Sequence, residues 1–296
     1  TNKMPEGFNT EQPKISHGLT HVHHFYSRRN LYAISALISS QHSFSETNSK
    51  LFLDGIQTIS TSLVSKLTRY KYKKSGNSML SGTLYVASTT AEQNVFKVIL
   101  AKLEDIFIAK RSISPNQSSI LTRSSTHFNI DEYKINYIFI DPPFGGNLMY
   151  SELNFLWEAW LRVFTNNQPE AVINAVQHKG LYEYQALMQG CFDEFFRVLK
   201  PGRWMTVEFH NSQNAVWNAI QEALQRAGFV IADVRILDKQ QQTFKQVTTT
   251  AAVKQDLIIS AYKPNGNLEE NFRLKAGTED GAWEFVRYHL GKLPVV

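Results

Sequence analysis

The second half of the chain alternates short apolar runs with helical patterns, and this alternation restricts the folds open to it. The predicted elements, in chain order, are a strand over 135–140, helices over 152–163 and 182–199, a strand over 204–209, a helix over 213–227, and strands over 229–237 and 257–262. Strands that alternate with helices indicate an α/β sheet with parallel strands. The loop between the last two strands is too short for a helical crossover, so we expect them to pair antiparallel or to lie apart.

Glycine and proline mark two boundaries in this half. Pro201-Gly202 predicts a turn before the strand over 204–209, and Gly228 predicts a C-terminal cap for the helix over 213–227.

The first half of the chain has weaker signals. Residues 1–24 are predicted to form a loop, because they are polar and interrupted by prolines. A helix is expected after Ser27, its predicted N-cap, since apolar residues recur there at spacings of three and four. Residues 48–80 have no clear pattern; a short strand over 82–87 and a helix over 91–111 follow.

Composition sets only broad limits on function. The 296 residues, 43% of them apolar, suffice for one large domain or two small ones, and a net charge of +5 permits a polyanionic partner without requiring one. Cys191 is the only cysteine, which excludes an intrachain disulfide and fits a reducing cytoplasm. No signal-peptide pattern opens the sequence, and no apolar run is long enough to span a membrane. The start on Thr1 and the abrupt end lead us to expect a piece of a longer protein.

The tetrapeptide Asp141-Pro142-Pro143-Phe144 directly follows the strand over 135–140. Ligands of parallel α/β sheets bind beyond the carboxyl ends of the strands, so the tetrapeptide is expected at a binding edge. The two prolines fix the backbone φ angles and remove two N–H donors, which predicts a stiff loop with carbonyls free to accept hydrogen bonds. Gly145-Gly146 is expected to let a ligand approach the backbone closely. A plain surface turn is the alternative interpretation, and the strand before it argues against that.

This combination suits methyl transfer to the exocyclic amino group of a base. That nitrogen is a poor nucleophile because its lone pair is delocalised into the ring. The Asp141 carboxylate and the Pro142 carbonyl can each accept one of its N–H groups, which aims the lone pair at a methyl sulfonium. Phe144 can stack on a base that has left the duplex. Asp141, Pro142, Pro143 and Phe144 are therefore the candidate catalytic residues.

The stretch over 141–161 (DPPFGGNLMYSELNFLWEAWL) resembles the amino-group-specific DNA methyltransferases of the N6-adenine/N4-cytosine superfamily. It is most similar to the branch of large bacterial DNA methylases with a DPPF-GGN-YSELN-WEAWL block. The resemblance extends through 197–212, 216–244 and 253–264, and upstream over 20–31.

The resemblance implies a Rossmann-like sheet with helices on both faces, S-adenosylmethionine as the cofactor, and double-stranded DNA with a flipped base as the partner. It implies a cytoplasmic bacterial enzyme of the restriction-modification type. Adenine N6 is favoured over cytosine N4, because the family's cytosine enzymes usually begin the motif with Ser. Tyr26, Ser27 and Arg28 look like the family's motif beside the methionine part of the cofactor, to which Asp141 is also assigned. An exposed helix start with two solvated arginines is the alternative for Arg28 and Arg29.

One departure from the family bears on the cofactor. The superfamily has a Gly-rich loop of the F-x-G-x-G kind, and this chain has no two glycines spaced as G-x-G. We therefore expect an incomplete sheet that resembles the C-terminal catalytic half, with an upstream half supplying the loop. The alternatives are a catalytically incomplete DNA-binding module, and methylation of RNA or of a protein amide. Enzymes of that last kind more often carry Asn at the position of Asp141.

Further residues are candidates for contact with the substrate. Asn147, Tyr150 and Asn154 follow the tetrapeptide closely, and His210 and Asn211 follow the strand over 204–209 at the same sheet edge. Asp256, before the last strand, is interpreted as a loop cap.

Residues 66–74 (KLTRYKYKK) form a basic run with two tyrosines. Lys71 and Lys73 are its candidate contacts to DNA phosphates, and an ordinary solvated surface is the alternative.

Two further features are interpreted as structural. The cluster of His17, His21, His23 and His24 has no cysteine or carboxylate pair at a familiar spacing, so no metal site is predicted. Cys191 lies mid-helix on an expected core face, which argues against a nucleophilic thiol.

The expected domain plan has four parts. Residues 1–47 form an N-terminal segment with the cofactor-side helix, 48–128 a basic region, 129–264 the catalytic core and 265–296 a C-terminal extension.

Overall fold

The computed structural model describes residues 2–40, 43–72, 78–112, 119–210, 213–237 and 256–265, together with residues 283, 286 and 287. In chain order, the helices and strands are α1 (Phe8–His17), a short 3-10 helix (Val22–Phe25), α2 (Arg28–Ser40), α3 (Glu46–Ser62), α4 (Val95–Ser112), β1 (Ile135–Ile140), α5 (Tyr150–Leu161), α6 (Leu181–Val198), β2 (Leu199–Phe209), α7 (Asn214–Arg226), β3 (Val230–Leu237) and β4 (Asp256–Tyr262). The chain is a mixed α/β protein, as the sequence predicts.

The chain divides into two compact units. Unit 1 consists of Thr1–Leu121 and Met149–Asn167, and unit 2 of Thr122–Leu148 and Gln168–Val296. Helix α5 therefore belongs to unit 1, although it follows the tetrapeptide directly in sequence. The four-part plan predicted from the sequence stays a prediction.

Unit 1 contains α1 to α5. Its core is formed by apolar side chains of these helices and of the segments between them, among them Phe25, Ile34, Ile56, Ile59, Leu67, Leu84 and Leu156. Ser27 caps α2 as predicted, since its hydroxyl oxygen accepts from the backbone N–H of Asn30 at 3.2 Å.

Helix α1 contradicts the predicted loop over 1–24. Gly18 ends this helix in the left-handed region at φ 65°, and its N–H donates to the carbonyl of Lys14. At the other end, the backbone N–H of Asn9 donates to the carboxylate of Glu152 at 2.8 Å. A Cβ on Gly7 would lie 2.0 Å from that carboxylate, so a larger residue there would displace the Glu152 side chain. The cap comes from a residue far along the chain, which a local pattern could not reveal.

Two other regions of unit 1 differ from expectation. Residues 46–62, within the stretch that gave no pattern, form α3 with Ser45 as its N-cap. The predicted strand over 82–87 is wrong, because no neighbouring strand pairs with this extended segment in the described part of unit 1. Instead, the amide of Gln12 bonds both the N–H and the carbonyl of Val86, each at 3.2 Å.

Unit 2 is built on a sheet with the strand order β1-β2-β4-β3. β1 and β2 are parallel, whereas β4 is antiparallel to both β2 and β3. The last two strands therefore adopt the first of the two expected arrangements, antiparallel pairing. Met205, Val207 and Phe209 alternate along β2 and are buried in the core with side chains of α6 and α7. On the opposite face of β1, Tyr137 and Phe139 are more than half exposed.

The predicted turn at Pro201-Gly202 became an irregularity within β2. The register shifts between the pair Ile135–Leu199 and the pair Tyr137–Trp204, and Gly202 within the shift has φ 72°. Gly228 has φ 97° after the end of α7, which confirms the predicted C-terminal cap.

A partly buried ion pair holds the segment that leads into β1. Arg197 donates to both carboxylate oxygens of Glu194, at 2.7 and 2.8 Å, and also to the carbonyls of Phe128 and Ile130. The N–H of Phe128 donates back to Glu194 at 2.5 Å. Chiefly through the hydrogen bond from Arg197, the pKa of Glu194 falls to about 2. This network ties the segment before β1 to the end of α6.

Candidate functional site

Three chain segments of unit 2 meet at one edge of the sheet. Because β1 and β2 are parallel, with Ile140 opposite Val207, the tetrapeptide after β1 and His210 after β2 lie at the same edge. β4 runs the other way and begins there with Asp256. This is the edge at which ligands of parallel α/β sheets bind.

Tyr184 of α6 is hydrogen-bonded to the tetrapeptide from the core of unit 2. This side chain is fully buried, and its hydroxyl donates to the carbonyl of Pro143 at 2.7 Å. One proline carbonyl is therefore used inside unit 2, contrary to the expectation that both are available to a ligand. Pro142 is buried and Asp141 is exposed, so the carboxylate stands at the rim of a fixed loop.

The two glycines after the tetrapeptide serve the loop itself. Gly145 has φ 67°, a conformation that favours glycine, and its carbonyl accepts from the N–H of Ile173 at 3.2 Å. A Cβ on Gly146 would lie 3.3 Å from the carbonyl oxygen of Ile173. The neighbour that approaches Gly146 closely is thus the 173 backbone, whereas the sequence led us to expect a ligand.

Phe144 is half-buried among aromatic rings. It meets Phe209 edge-on, with ring centroids 5.5 Å apart, and its centroid lies 6.0 Å from that of His210. The edge-on contact restricts the orientation of the Phe144 ring.

His210 is paired with a buried carboxylate. Its Nδ1 contacts Oδ1 of Asp256, whose side chain is only 4% exposed, while that of His210 is 23% exposed. The sequence singled out His210 but interpreted Asp256 as a loop cap. It also gave no role to Tyr184. An antiparallel partner for the strand over 204–209 would have placed Asp256 opposite His210, and only the sheet order reveals that partner.

The predicted cofactor segment lies in unit 1 and is largely engaged there. The hydroxyl of Tyr26 accepts from Nε1 of Trp160 at 2.9 Å, and burial raises the pKa of this tyrosine. Ser27 donates to Glu92, which also pairs with Arg29 at 3.2 Å. The side chain of Arg28 is exposed.

The remaining substrate candidates fall in both units. Asn147 belongs to unit 2 and is half-buried, whereas Tyr150 and Asn154 belong to unit 1 and are exposed on α5. Lys71 is half-buried in unit 1. Lys73 and Asn211 lie outside the described residues.

The histidine cluster has close rings. Centroids of His21, His23 and His24 lie 4.3 to 5.6 Å apart, and burial, reinforced by the two neighbouring histidines, lowers the pKa of His23. In the part of the chain that the structure describes, no group of three or more His, Cys, Asp or Glu side chains could hold a metal ion.

Cys191 packs against the core of unit 2, and burial raises the pKa of its thiol to about 11. A thiol with so high a pKa is a poor nucleophile at neutral pH, in agreement with the structural role predicted for it. Among the described helices, none is both long and apolar enough to cross a membrane.

No protein-family model matches the sequence, and a comparison with curated proteins gives no match. Among solved structures, a protein of Thermus thermophilus that is assigned as a DNA modification methylase, in complex with S-adenosyl-L-methionine, is 14% identical at a TM-score of 0.27. The match covers 51% of this chain and 58% of that one, so the chain spans little more than half of its length.

Two other solved structures are similar at the same level. A SAM-dependent methyltransferase of Methanosarcina mazei is 12% identical at a TM-score of 0.29, over 58% of this chain and 79% of that one. The cyclase SpnF is 13% identical at a TM-score of 0.32, over 60% and 66%. At TM-scores this low, the likeness by itself assigns neither a reaction nor a ligand to this chain.

Proposed function

We propose that this chain is the base-binding part of an S-adenosylmethionine-dependent methyltransferase that methylates the exocyclic amino group of a flipped base in double-stranded DNA, namely adenine N6. The observation that carries the proposal is the exposed Asp141 carboxylate at the carboxyl end of a parallel strand, on a loop fixed by Tyr184 and beside the ring of Phe144.

The loop would act by holding the amino group in one geometry. The Asp141 carboxylate accepts one N–H of that group. Since the Pro143 carbonyl already accepts from Tyr184, the Pro142 carbonyl is the proposed second acceptor. Two fixed acceptors draw the nitrogen lone pair out of conjugation, and Phe144 stacks on the base. The resemblance of 141–161 to the amino-group-specific DNA methyltransferases supports this assignment, and Asp at position 141 favours adenine.

The part of the proposed site that would bind the methyl donor is less complete in this chain. S-adenosylmethionine supplies a methyl group on a sulfonium. In the segment proposed to bind this cofactor, the hydroxyls of Tyr26 and Ser27 are hydrogen-bonded to Trp160 and Glu92, so they fit direct contact with the cofactor poorly. The side chain of Arg28 is exposed. We propose that an upstream half with the Gly-rich loop provides most of the donor site. Asn147, Tyr150, Asn154, Asn211, Lys71 and Lys73 stay predicted contacts to DNA.

The test is methyl transfer from labelled S-adenosylmethionine to DNA, followed by mass spectrometry of the nucleosides. We expect N6-methyladenine as the product, and N4-methylcytosine would overturn the assignment of the base. Asp141→Ala should lower the rate by at least about a hundredfold, in line with the loss of a group that positions the reacting atom. Asp193→Ala is the matched control, because Asp193 is an exposed carboxylate of α6 that accepts a hydrogen bond from Gln189 on the same helix.

Isothermal calorimetry separates the enzyme from a DNA-binding module without activity. Binding of S-adenosylmethionine by the chain, or by the chain with its upstream half, agrees with the enzyme. DNA binding without any donor binding in either form would refute it.

A further inference from the structure

A tight turn over 174–179 lies against the loop that carries the tetrapeptide. Ile173 leads into this turn, and its N–H donates to the carbonyl of Gly145 at 3.2 Å. Helix α6 begins just after the turn, and its Tyr184 donates to the carbonyl of Pro143 at 2.7 Å. The segments on both sides of the turn are therefore bonded to the tetrapeptide loop.

The turn is held in one conformation by hydrogen bonds from its own buried residues. Asn174 and Lys179, its first and last residues, are buried, and their backbones exchange two hydrogen bonds of 2.9 and 3.0 Å. The side-chain oxygen of Asn174 accepts from the N–H groups of Val176 and Gln177, at 2.9 and 3.3 Å. The ammonium group of Lys179 donates to the carbonyl of Glu170 at 2.7 Å and to the side-chain oxygen of Gln177 at 2.9 Å. A buried lysine is costly unless its donors are bonded, and here those bonds fix the turn.

The tip of the turn is apolar and exposed. Val176 is 53% exposed, and Ala175 before it is exposed as well. His178 has φ 54°, a left-handed conformation that is uncommon outside glycine and persists where the surrounding structure imposes it. Two unfavourable features, a buried lysine and a left-handed histidine, thus hold a stiff branched side chain in solvent. An arrangement that adds so little to the core indicates contact with a partner.

The position of the tip relates it to the base that the tetrapeptide is proposed to bind. The three residues of chain from Ile173 to Val176 span at most about 10 Å, so the tip stays close to Gly145. A base that is held by Asp141 and stacked on Phe144 has left a gap in the duplex. Proteins that open or bend DNA insert apolar side chains between stacked bases.

We infer that Val176 is a wedge that enters the base stack as the target base leaves it, and that the turn over 174–179 holds this wedge rigid. The inference rests on the proposed function and concerns the step before methyl transfer. By filling the gap, Val176 stabilises the duplex from which the base has been extruded, whereas the tetrapeptide binds the base itself. Val176 is thus a positioning residue, and its loss should matter only where a paired base has to be extruded.

Single-turnover methyl transfer on two duplexes of the sequence that the wild type methylates tests the inference. The target base is paired in one duplex and faces an abasic site in the other, where extrusion costs less. Val176→Ala should lower the rate constant at least about tenfold on the paired duplex and less than about twofold on the other. Val176→Ile keeps a branched apolar side chain and should stay within about twofold of the wild type on both. Val234→Ala, which truncates a valine of β3 that is 40% exposed, is the matched control and should equal the wild type.

Binding without the methyl donor gives a second measurement, by fluorescence polarisation of the same two labelled duplexes. Val176→Ala should raise the Kd for the paired duplex at least about fivefold and the Kd for the abasic duplex less than about twofold. Equal changes for the two duplexes would contradict a role in extrusion.

Different results overturn different statements. An active wild type whose Val176→Ala variant keeps its rate on the paired duplex, or loses rate equally on both duplexes, refutes the role of Val176 alone. A wild type that transfers no methyl group to either duplex refutes the proposed function and this role with it. If near-ultraviolet circular dichroism shows that Val176→Ala does not fold, Val176→Thr takes its place, because it keeps the shape of the side chain and replaces a methyl group with a hydroxyl. A loss confined to the paired duplex then supports the wedge, and an equal loss on both, or none, contradicts it.

Discussion

The hydrogen bond from Tyr184 to Pro143 allows a sharp test of how the tetrapeptide is held. Tyr184→Phe removes one oxygen atom and leaves the buried ring in place. The carbonyl of Pro143 then loses a donor at 2.7 Å in a region where α6 covers the loop. The change therefore removes the hydroxyl that links α6 to the proposed catalytic loop and keeps the ring in the core.

The expected loss of stability follows from that bond. An intramolecular hydrogen bond contributes about 0.5–1.5 kcal/mol net, and an acceptor left without a partner costs about 1–3 kcal/mol. Since Pro143 is only half-buried, water can compensate in part, and we expect a decrease of about 1–2 kcal/mol in the free energy of unfolding of unit 2. A unit of this size should lose roughly 2–4 °C in Tm per kcal/mol. A loop displaced by a fraction of an ångström should also lower methyl transfer, by roughly tenfold to a hundredfold.

Urea denaturation followed by tryptophan fluorescence measures the first effect, and single-turnover methyl transfer the second. Tyr182→Phe is the matched control, because Tyr182 lies on the same helix and is 79% exposed. The reasoning is refuted if Tyr184→Phe unfolds within about 0.3 kcal/mol of this control, which is below the usual net contribution of a hydrogen bond.

Three further predictions concern stability and use the same denaturation assay. Gly145→Ala should destabilise unit 2 by about 1–2 kcal/mol, because Gly145 has φ 67°. Gly190→Ala, in the middle of α6 with the nearest atom 3.6 Å from an added Cβ, should instead stabilise the unit by about 0.5–1 kcal/mol. The backbone argument is contradicted if both substitutions change the free energy of unfolding in the same direction. Glu152→Ala should lower the free energy of unfolding of unit 1 by about 1–2 kcal/mol, because it removes the cap of α1. Glu104 is exposed, so Glu104→Ala should leave stability unchanged. An unchanged stability of Glu152→Ala would show that the cap contributes nothing. The pKa of Glu194 is lowered from an ordinary 4.5 to about 2, so the stability that its carboxylate contributes is present above pH 4.5 and is lost as the pH falls toward 2. Glu194→Gln should therefore be less stable than the wild type at neutral pH, and the difference should vanish between pH 4.5 and 2. A difference that stays constant with pH would disprove the link between this pKa and stability.

The sequence predicted the regular elements of unit 2 well because their signals are local. The apolar run over 135–140 became β1 with the predicted bounds, and Gly228 caps α7 where the periodicity ended. The last two strands pair antiparallel, which is one of the two arrangements that the sequence left open.

Features that depend on distant partners were not predictable in the same way. Helix α1 depends on Glu152, and the extended segment at Val86 depends on Gln12. The positions of Tyr184 and Asp256 at the candidate site follow from helix packing and strand order, to which no spacing of residues points. The local motif thus identified the tetrapeptide, while its supports came from the tertiary structure.

The assignment of 149–167 to unit 1 has a practical consequence for anyone who wishes to produce unit 2 separately. A contiguous piece from 122 to 296 would contain α5 without its partners, exposing the fully buried Leu156 and leaving Nε1 of Trp157 without the carbonyl of Gln57. Such a piece should aggregate through this helix. A workable expression design would excise 149–167 and bridge 148 to 168 with a flexible linker, which places the junction only four residues after the tetrapeptide.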